Sequence, residues 1–110
     1  ILAAIGGTEA PADHGLESIL AVHDAKYVEL LRTAHDEWLA AGRTGDAIPY
    51  AFPVVGRRAV DLKRIDALMG RHSFDATTPI GPHAFEASYW SAQSALAMVD
   101  AVLGGERTAF

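Results

Sequence analysis

The side chain whose surroundings most suggest chemistry is Asp75. It lies between Phe74 and the pair Thr77-Thr78, in a turn-prone stretch that reaches Pro79. An aspartate in such a place can accept hydrogen bonds from nearby backbone N–H groups, or it can face outward and accept hydrogen bonds from a ligand. The residue types alone favour the first use, because aspartates in turns usually bond to their own backbone.

Five histidines raise the question of a metal site, since imidazole is the commonest metal ligand. They are His14, His23, His35, His72 and His83. No two of these histidines lie close together at ligand spacing with a carboxylate on the same face. The chain has no cysteine, which excludes thiolate ligands and disulfides from these residues. There is also no glycine-rich phosphate loop after a strand and no serine in a nucleophile elbow. We therefore predict neither metal ligands nor catalytic residues in this chain.

Composition limits the class of protein. A chain of 110 residues with 50% hydrophobic and 21% charged residues is typical of one folded domain at most. No apolar run approaches the about 20 residues that cross a bilayer. The formal net charge of −5 disfavours a nucleic-acid partner. We expect a soluble chain with no membrane or nucleic-acid partner, cytoplasmic by default.

The basic residues are unevenly distributed. Five of the nine fall within one stretch, at Arg57, Arg58, Lys63, Arg64 and Arg71. Such a stretch can bind an anion or a partner, but scattered charges on a solvated loop are the commoner outcome. The sequence favours the solvated loop.

The longest predicted element is a helix from Pro82 to Leu103. Proline suits a first helical position, and Gly104-Gly105 suits a left-handed cap. Apolar residues recur at spacings of four and three, which predicts one buried face made of Phe85, Tyr89, Ala92, Leu96, Val99 and Leu103. Small residues cover most of the remaining surface, so we expect other elements to cover the helix on more than one side.

Shorter helices are predicted earlier in the chain. Ile1–Ile5 is interpreted as the last turn of a helix, and Leu16–His23 as a helix of about two turns. Asp24 is a predicted N-cap for a helix that Gly42 ends. The predicted inward face of that helix consists of Tyr27, Leu30, Leu31, Ala34 and Trp38.

The segment from Gly42 to His72 differs from its neighbours. Pro49 and Pro53 make a helix unlikely around Tyr50 and Phe52, whose rings need cover. One or two helical turns are expected over residues 61–69, with Leu62, Ile65 and Leu68 or Met69 inward. A loop of this length is uncommon in a compact domain unless it is functional, which suggests a substrate lid or an oligomer contact.

Four stretches, in this order, resemble the N-terminal third of the bacterial acetylpolyamine amidohydrolases, within the histone deacetylase-like family. They are Val22–Leu31, Ala47–Val54, Ser73–Ile80 and Glu86–Phe110. The resemblance implies an α/β fold, the arginase/deacetylase-like three-layer sandwich. Residues 1–110 would be the mostly helical N-terminal part of that single domain, with a loop insertion at about 42–72. Thr108-Ala109-Phe110 would begin a central strand.

The resemblance also implies an activity. Members of the family remove acetyl groups from acetylated polyamines or acetyl-lysine-like amines, using one zinc ion held by two aspartates and a histidine. Zinc acts there as a Lewis acid and activates water. The zinc ligands and catalytic groups would lie beyond Phe110, so this chain alone would be an inactive fragment of a bacterial hydrolase.

Few residues carry over from the family. Asp75 matches an aspartate at the mouth of the substrate tunnel, where a carboxylate accepts hydrogen bonds from substrate N–H groups. Phe74 matches a position that is often tyrosine and lacks that hydroxyl. Tyr50 and Phe52 would anchor the loop that narrows the tunnel and contributes to a homodimer contact. Thr77-Thr78 is neutral where polyamine-selecting members are acidic, which leaves the choice of acetylated amine open.

A different class of function is the alternative. The chain could be a non-catalytic helical binding module that uses the aromatic loop to hold a partner. The two hypotheses differ at Phe110, because a module would end there stably whereas a fragment would expose the apolar face of its last helix.

Overall fold

The regular structure of the chain is helical. A computed structural model describes residues 7–58 and 60–109. Its elements are α1 (Glu17–Leu20), α2 (Ala25–Ala40), α3 (Ile65–Arg71) and α4 (Ala84–Leu103). The chain divides into two compact units, one made of the residues up to Val22 and from Ala87 onward, the other of His23–Glu86. The helical turn predicted at Ile1–Ile5 lies outside the described residues.

Helix α2 begins and ends at its predicted capping residues. The Asp24 carboxylate accepts hydrogen bonds from the backbone N–H groups of Lys26 (2.8 Å) and Tyr27 (3.3 Å), as an N-cap does. At the other end Gly42 has φ +76°, and the N–H of Arg43 reaches back to the carbonyl of Trp38. This left-handed ending confirms the stop predicted at Gly42.

The core of the second unit lies where α2 packs against α3. Its buried members are Ala34, Trp38, Ala47, Ile65 and Met69. The inward positions predicted for Ala34, Trp38, Ile65 and Met69 are therefore confirmed, whereas Tyr27, Leu30 and Leu31 are only half-buried.

The loop after Pro49 is held by close backbone contact with α3. Gly70 is buried, and a Cβ built on it would lie 1.6 Å from the carbonyl oxygen of Ala51. No side chain fits in that space, so the absence of a Cβ lets the loop lie directly against the helix.

Helix α4 ends as predicted. Gly105 has φ +109°, its N–H bonds to the Val102 carbonyl at 3.1 Å, and the N–H of Glu106 bonds to the Ala101 carbonyl at 3.0 Å. These two bonds form a Schellman cap. The helix begins at Ala84, two residues after the predicted Pro82.

The burial predicted for α4 is partly wrong. Val99 is 54% exposed and Leu103 is 80% exposed, although both belong to the predicted buried face. The buried residue of this helix is Gln93, with no exposed surface. Its side-chain oxygen accepts the N–H of His14 (2.8 Å), and its side-chain nitrogen donates to the Gly15 carbonyl (3.1 Å). A polar side chain is buried here because a connecting segment, whose backbone groups need partners, lies against the helix.

Strand structure is limited to one contact within residues 7–58 and 60–109. Ala47 and Ile80 form an isolated antiparallel bridge. Thr108 and Ala109 belong to no strand, and Phe110 lies outside the described part of the chain. The sheet of the expected three-layer sandwich is therefore not seen in these residues.

Among the described residues, no helix has both the length and the apolar character needed to cross a bilayer.

Candidate functional site

The turn that carries Asp75 follows α3 and is tied down at its far end. Ile80 and Ala47 exchange two backbone hydrogen bonds, each of 2.9 Å. The next residue, Gly81, lies close to Asp46: a Cβ there would be 3.2 Å from its Oδ1. The bridge joins this turn to the segment just before Pro49, which leads into the loop that carries Tyr50 and Phe52.

Asp75 uses one of its two carboxylate oxygens within the turn. Oδ1 accepts hydrogen bonds from the backbone N–H of Thr77 (2.9 Å) and from its hydroxyl (2.8 Å). These bonds hold the pKa of Asp75 below its ordinary value, because they stabilise the ionised carboxylate. Oδ2 accepts no hydrogen bond from any residue that the structure describes. The capping geometry favoured by the residue types is therefore present, and it leaves one oxygen available to a ligand.

Phe74 lies directly before Asp75 and is 96% exposed. An exposed aromatic ring and an ionised carboxylate on successive residues offer an apolar surface and a hydrogen-bond acceptor within one turn. This pair suits a ligand with an apolar stem and an N–H donor.

The two aromatic residues predicted to anchor the loop have different surroundings. The Tyr50 ring stacks on Trp38, with centroids 6.0 Å apart and an angle of 18° between the planes. Phe52 lines an apolar groove of about 300 Å³ that also contains Val54, Val60 and Leu62, with Arg57, Arg58 and Arg71 among its walls. In the described part of the chain, no hydrogen bond, ion pair or ring contact joins either aromatic to Asp75.

A charged cluster that could not be predicted from the sequence lies against the rings of Trp38 and Tyr50. The Arg43 guanidinium lies 4.5 Å from the centroid of the Trp38 ring and 5.5 Å from that of Tyr50. It also donates to Asp66 Oδ2 at 2.9 Å, and Arg64 donates to both oxygens of the same carboxylate at 2.7 and 3.1 Å. The hydrogen bonds from Arg64 and the two positive charges hold the pKa of Asp66 below its ordinary value.

This cluster changes the interpretation of the basic stretch. Arg64 pairs with a buried carboxylate, whereas Arg57 and Arg58 are exposed. The sequence gives only a weak signal for the cluster, because Asp66 is one of two aspartates inside the basic stretch and the other, Asp61, is exposed. The cluster's more distant arginine, Arg43, lies 23 positions earlier than Asp66 and could not have been found from spacing.

Within residues 7–58 and 60–109, no group of three or more histidine, aspartate or glutamate side chains lies close enough to hold an ion. The residues described here therefore do not fit the donor set that a zinc ion requires.

Comparison with known proteins gave consistent relatives. No protein-family profile matches the chain. The acetylpolyamine amidohydrolase of Mycoplana ramosa is 42% identical over 101 residues, covering 92% of this chain and 30% of the relative. Acetylpolyamine amidohydrolase 2 of Pseudomonas aeruginosa is 38% identical over 106 residues, covering 96% of this chain and 31% of the relative.

A solved structure agrees with the sequence relatives. The crystal structure of acetylpolyamine aminohydrolase from Burkholderia pseudomallei matches 94% of this chain and 30% of its own, with a TM-score of 0.81 and 38% identity. The chain spans about three tenths of the length of the curated relatives it matches. The resemblance read from four short stretches is therefore confirmed: over more than nine tenths of its length this chain is similar to acetylpolyamine amidohydrolases.

Proposed function

We propose that this chain supplies part of the substrate entrance of a zinc-dependent amidohydrolase that removes acetyl groups from acetylated polyamines or acetyl-lysine-like amines. The names of the relatives support the reaction class. The observation that carries the proposal is the Asp75 carboxylate, which has one oxygen bound within its turn and the other without a partner among the described residues.

The entrance role follows from the chemistry of the substrate. An acetylated amine presents an amide N–H, and a polyamine adds ammonium groups along an apolar chain. The ionised Asp75 carboxylate accepts hydrogen bonds from such donors, and charge assistance makes these bonds roughly twice as strong as neutral ones. The carboxylate is ionised at neutral pH, and its lowered pKa extends the ionised range to more acid pH. The exposed Phe74 ring provides apolar surface for the methylene chain.

In this proposal the zinc site lies outside the described residues. A bound zinc ion would polarise the acetyl carbonyl and activate water. The described histidines and carboxylates supply no group of ligands for it. We therefore expect the 110 residues alone to bind no catalytic zinc and to hydrolyse no acetyl amide. The remainder of the arginase/deacetylase-like sandwich would supply these groups in the complete protein.

The loop at 42–72 is proposed as a contact between two copies of the complete protein. Tyr50 is 64% exposed and Val55 is fully exposed. The groove beside Phe52 adds further apolar surface. Exposed aromatic and aliphatic side chains near arginines are typical of interfaces.

The proposal is tested with Asp75→Ala in the complete protein, measuring kcat/KM for an acetylated diamine. A decrease of about tenfold or more is expected, because a charge-assisted hydrogen bond to the substrate is lost. Asp36→Ala is the matched control, since Asp36 is an exposed carboxylate on α2. An unchanged kcat/KM in Asp75→Ala would remove Asp75 from the entrance. Zinc-dependent deacetylation by the isolated 110 residues would contradict the proposal that the zinc ligands and catalytic groups lie outside them.

A further inference from the structure

Thr77 donates both of its hydrogen bonds to the same oxygen of Asp75. Its backbone N–H lies 2.9 Å from Oδ1 and its hydroxyl lies 2.8 Å from that atom. The backbone bond alone is an ordinary feature of turns that contain aspartate. The hydroxyl bond is additional, and it depends on the residue type at position 77.

Two bonds to one oxygen restrict the whole carboxylate. A carboxylate has about four lone-pair sites on its two oxygens, so Oδ2 keeps its capacity to accept after Oδ1 is occupied. Fixing Oδ1 from two directions limits rotation of the group and thereby limits where Oδ2 can lie. Oδ1 therefore accepts the bonds within the turn while Oδ2 can bind a ligand, and the two uses of the carboxylate do not compete.

Holding the Asp75 carboxylate in one orientation before the ligand arrives should strengthen ligand binding. A free aspartate side chain loses rotamer freedom when it binds a ligand, and that loss weakens binding. A carboxylate already held in one orientation loses less, so its hydrogen bond to the substrate contributes more to affinity. The residue that holds it then affects binding without touching the substrate.

We propose that Thr77 is a positioning residue for substrate binding, which holds the Asp75 carboxylate so that Oδ2 is directed to the N–H groups of the acetylated amine. The inference rests on the proposed entrance role of Asp75. It assigns a function to a threonine that is neutral in charge and exposed.

The test compares Thr77→Val, Thr77→Ser and Thr78→Val in the complete protein, with Asp75→Ala measured beside them. Thr77→Val keeps the N–H and removes the hydroxyl, whereas Thr77→Ser keeps both. Thr78 is the matched control because it is an exposed threonine with no hydrogen bond to Asp75. KM and kcat are measured for an acetylated diamine, and the pKa of Asp75 is measured by NMR of its carboxyl carbon.

We expect Thr77→Val to raise KM about threefold or more while kcat changes less, and to raise the pKa of Asp75. Thr77→Ser should restore both quantities, and Thr78→Val should change neither. If Thr77→Val raises the pKa of Asp75 but leaves KM unchanged, the hydroxyl only caps the turn and the proposal is overturned.

The remaining outcomes separate this proposal from the entrance role. If Asp75→Ala raises KM and Thr77→Val does not, positioning by Thr77 is wrong while the entrance role stands. If Asp75→Ala itself leaves KM unchanged, the entrance role fails, and the positioning proposal fails with it.

Discussion

The Nε2 atom of His14 lies 2.8 Å from Oδ2 of Asp100, a residue 86 positions later in the chain. The other ring nitrogen, Nδ1, lies 3.1 Å from the carbonyl oxygen of Ala12. Both partners are acceptors, and only the protonated imidazole has two N–H donors. Two further acidic residues lie near His14. Glu9 lines the same cavity as His14 and Asp100, and Asp13 directly precedes His14 in the chain. The surroundings of His14 therefore favour its charged form.

This pairing predicts a pH dependence of stability. The hydrogen bond to Asp100 raises the pKa of His14 above about 6.5, the ordinary value for histidine. The pKa of His14 is higher in the folded state than in the unfolded state. The pairing therefore contributes its full stabilisation of the folded state below the ordinary pKa, and that contribution is lost as pH rises through the raised pKa. We expect the free energy of unfolding of wild type to exceed that of His14→Gln at acid pH, with the difference shrinking as pH rises.

Urea denaturation at a series of pH values measures this effect. His83→Gln is the control, because the His83 side chain is 83% exposed and lies 3.5 Å from its acidic neighbour Glu86. The same pH dependence in wild type and His14→Gln would show that His14 is not a charged partner of Asp100.

Replacing Gln93 should destabilise the protein although the residue is polar. Gln93→Leu leaves the N–H of His14 and the carbonyl of Gly15 without their partners. Each unsatisfied buried group costs about 1–3 kcal/mol, so we expect a loss of about 2 kcal/mol or more in the free energy of unfolding. Ser91→Ala, at an exposed position of the same helix, serves as control in urea denaturation. A loss below about 0.5 kcal/mol, the level of ordinary surface changes, would contradict the assigned role.

Gly70→Ala tests the contact between α3 and the loop. Alanine normally favours a helix over glycine by about 1 kcal/mol. At Gly70 the new Cβ would lie 1.6 Å from the Ala51 carbonyl oxygen, so the backbones must separate. We expect a net loss of stability of about 1–3 kcal/mol, as in other overpacked sites. A variant with a raised melting temperature would show that the loop does not lie against the helix.

Asp66→Asn should weaken the unit that contains α2 and α3. The substitution removes the negative charge that binds Arg43 and Arg64, and a loss of about 1–2 kcal/mol is expected at neutral pH. The pKa of Asp66 is lowered in the folded state, so this stabilisation is present above the unfolded pKa of about 3.9 and is lost as pH falls through the folded pKa. Thermal melts at neutral and acid pH measure both effects.

Asp61→Asn is the control for this substitution, since Asp61 is exposed and lies in the same stretch. Equal melting temperatures for the two variants at neutral pH would contradict the role given to Asp66.

The helix ends were predictable because their determinants are local. Asp24 bonds to N–H groups two and three residues later, and the cap at Gly42 joins residues at most five apart. Such bonds depend on residue type and short spacing, both of which the sequence displays. The bonds that Asp75 accepts from Thr77 are equally local, which is why the turn geometry could be predicted from residue types.

The polar interior was not predictable, because its partners are distant in sequence. Gln93 bonds to residues 78 and 79 positions away, and Arg43 reaches Asp66 across 23 positions. A periodic pattern assigns burial by apolar character, so it selected Val99 and Leu103 and passed over Gln93.

The sequence by itself determined where α2 and α4 stop, how the Asp75 turn is bonded and which family the chain resembles. Only the tertiary structure decided which polar side chains are buried. A buried polar group is stable only when its hydrogen-bonding partners are brought to it, and for Gln93 and Asp66 those partners come from distant parts of the chain.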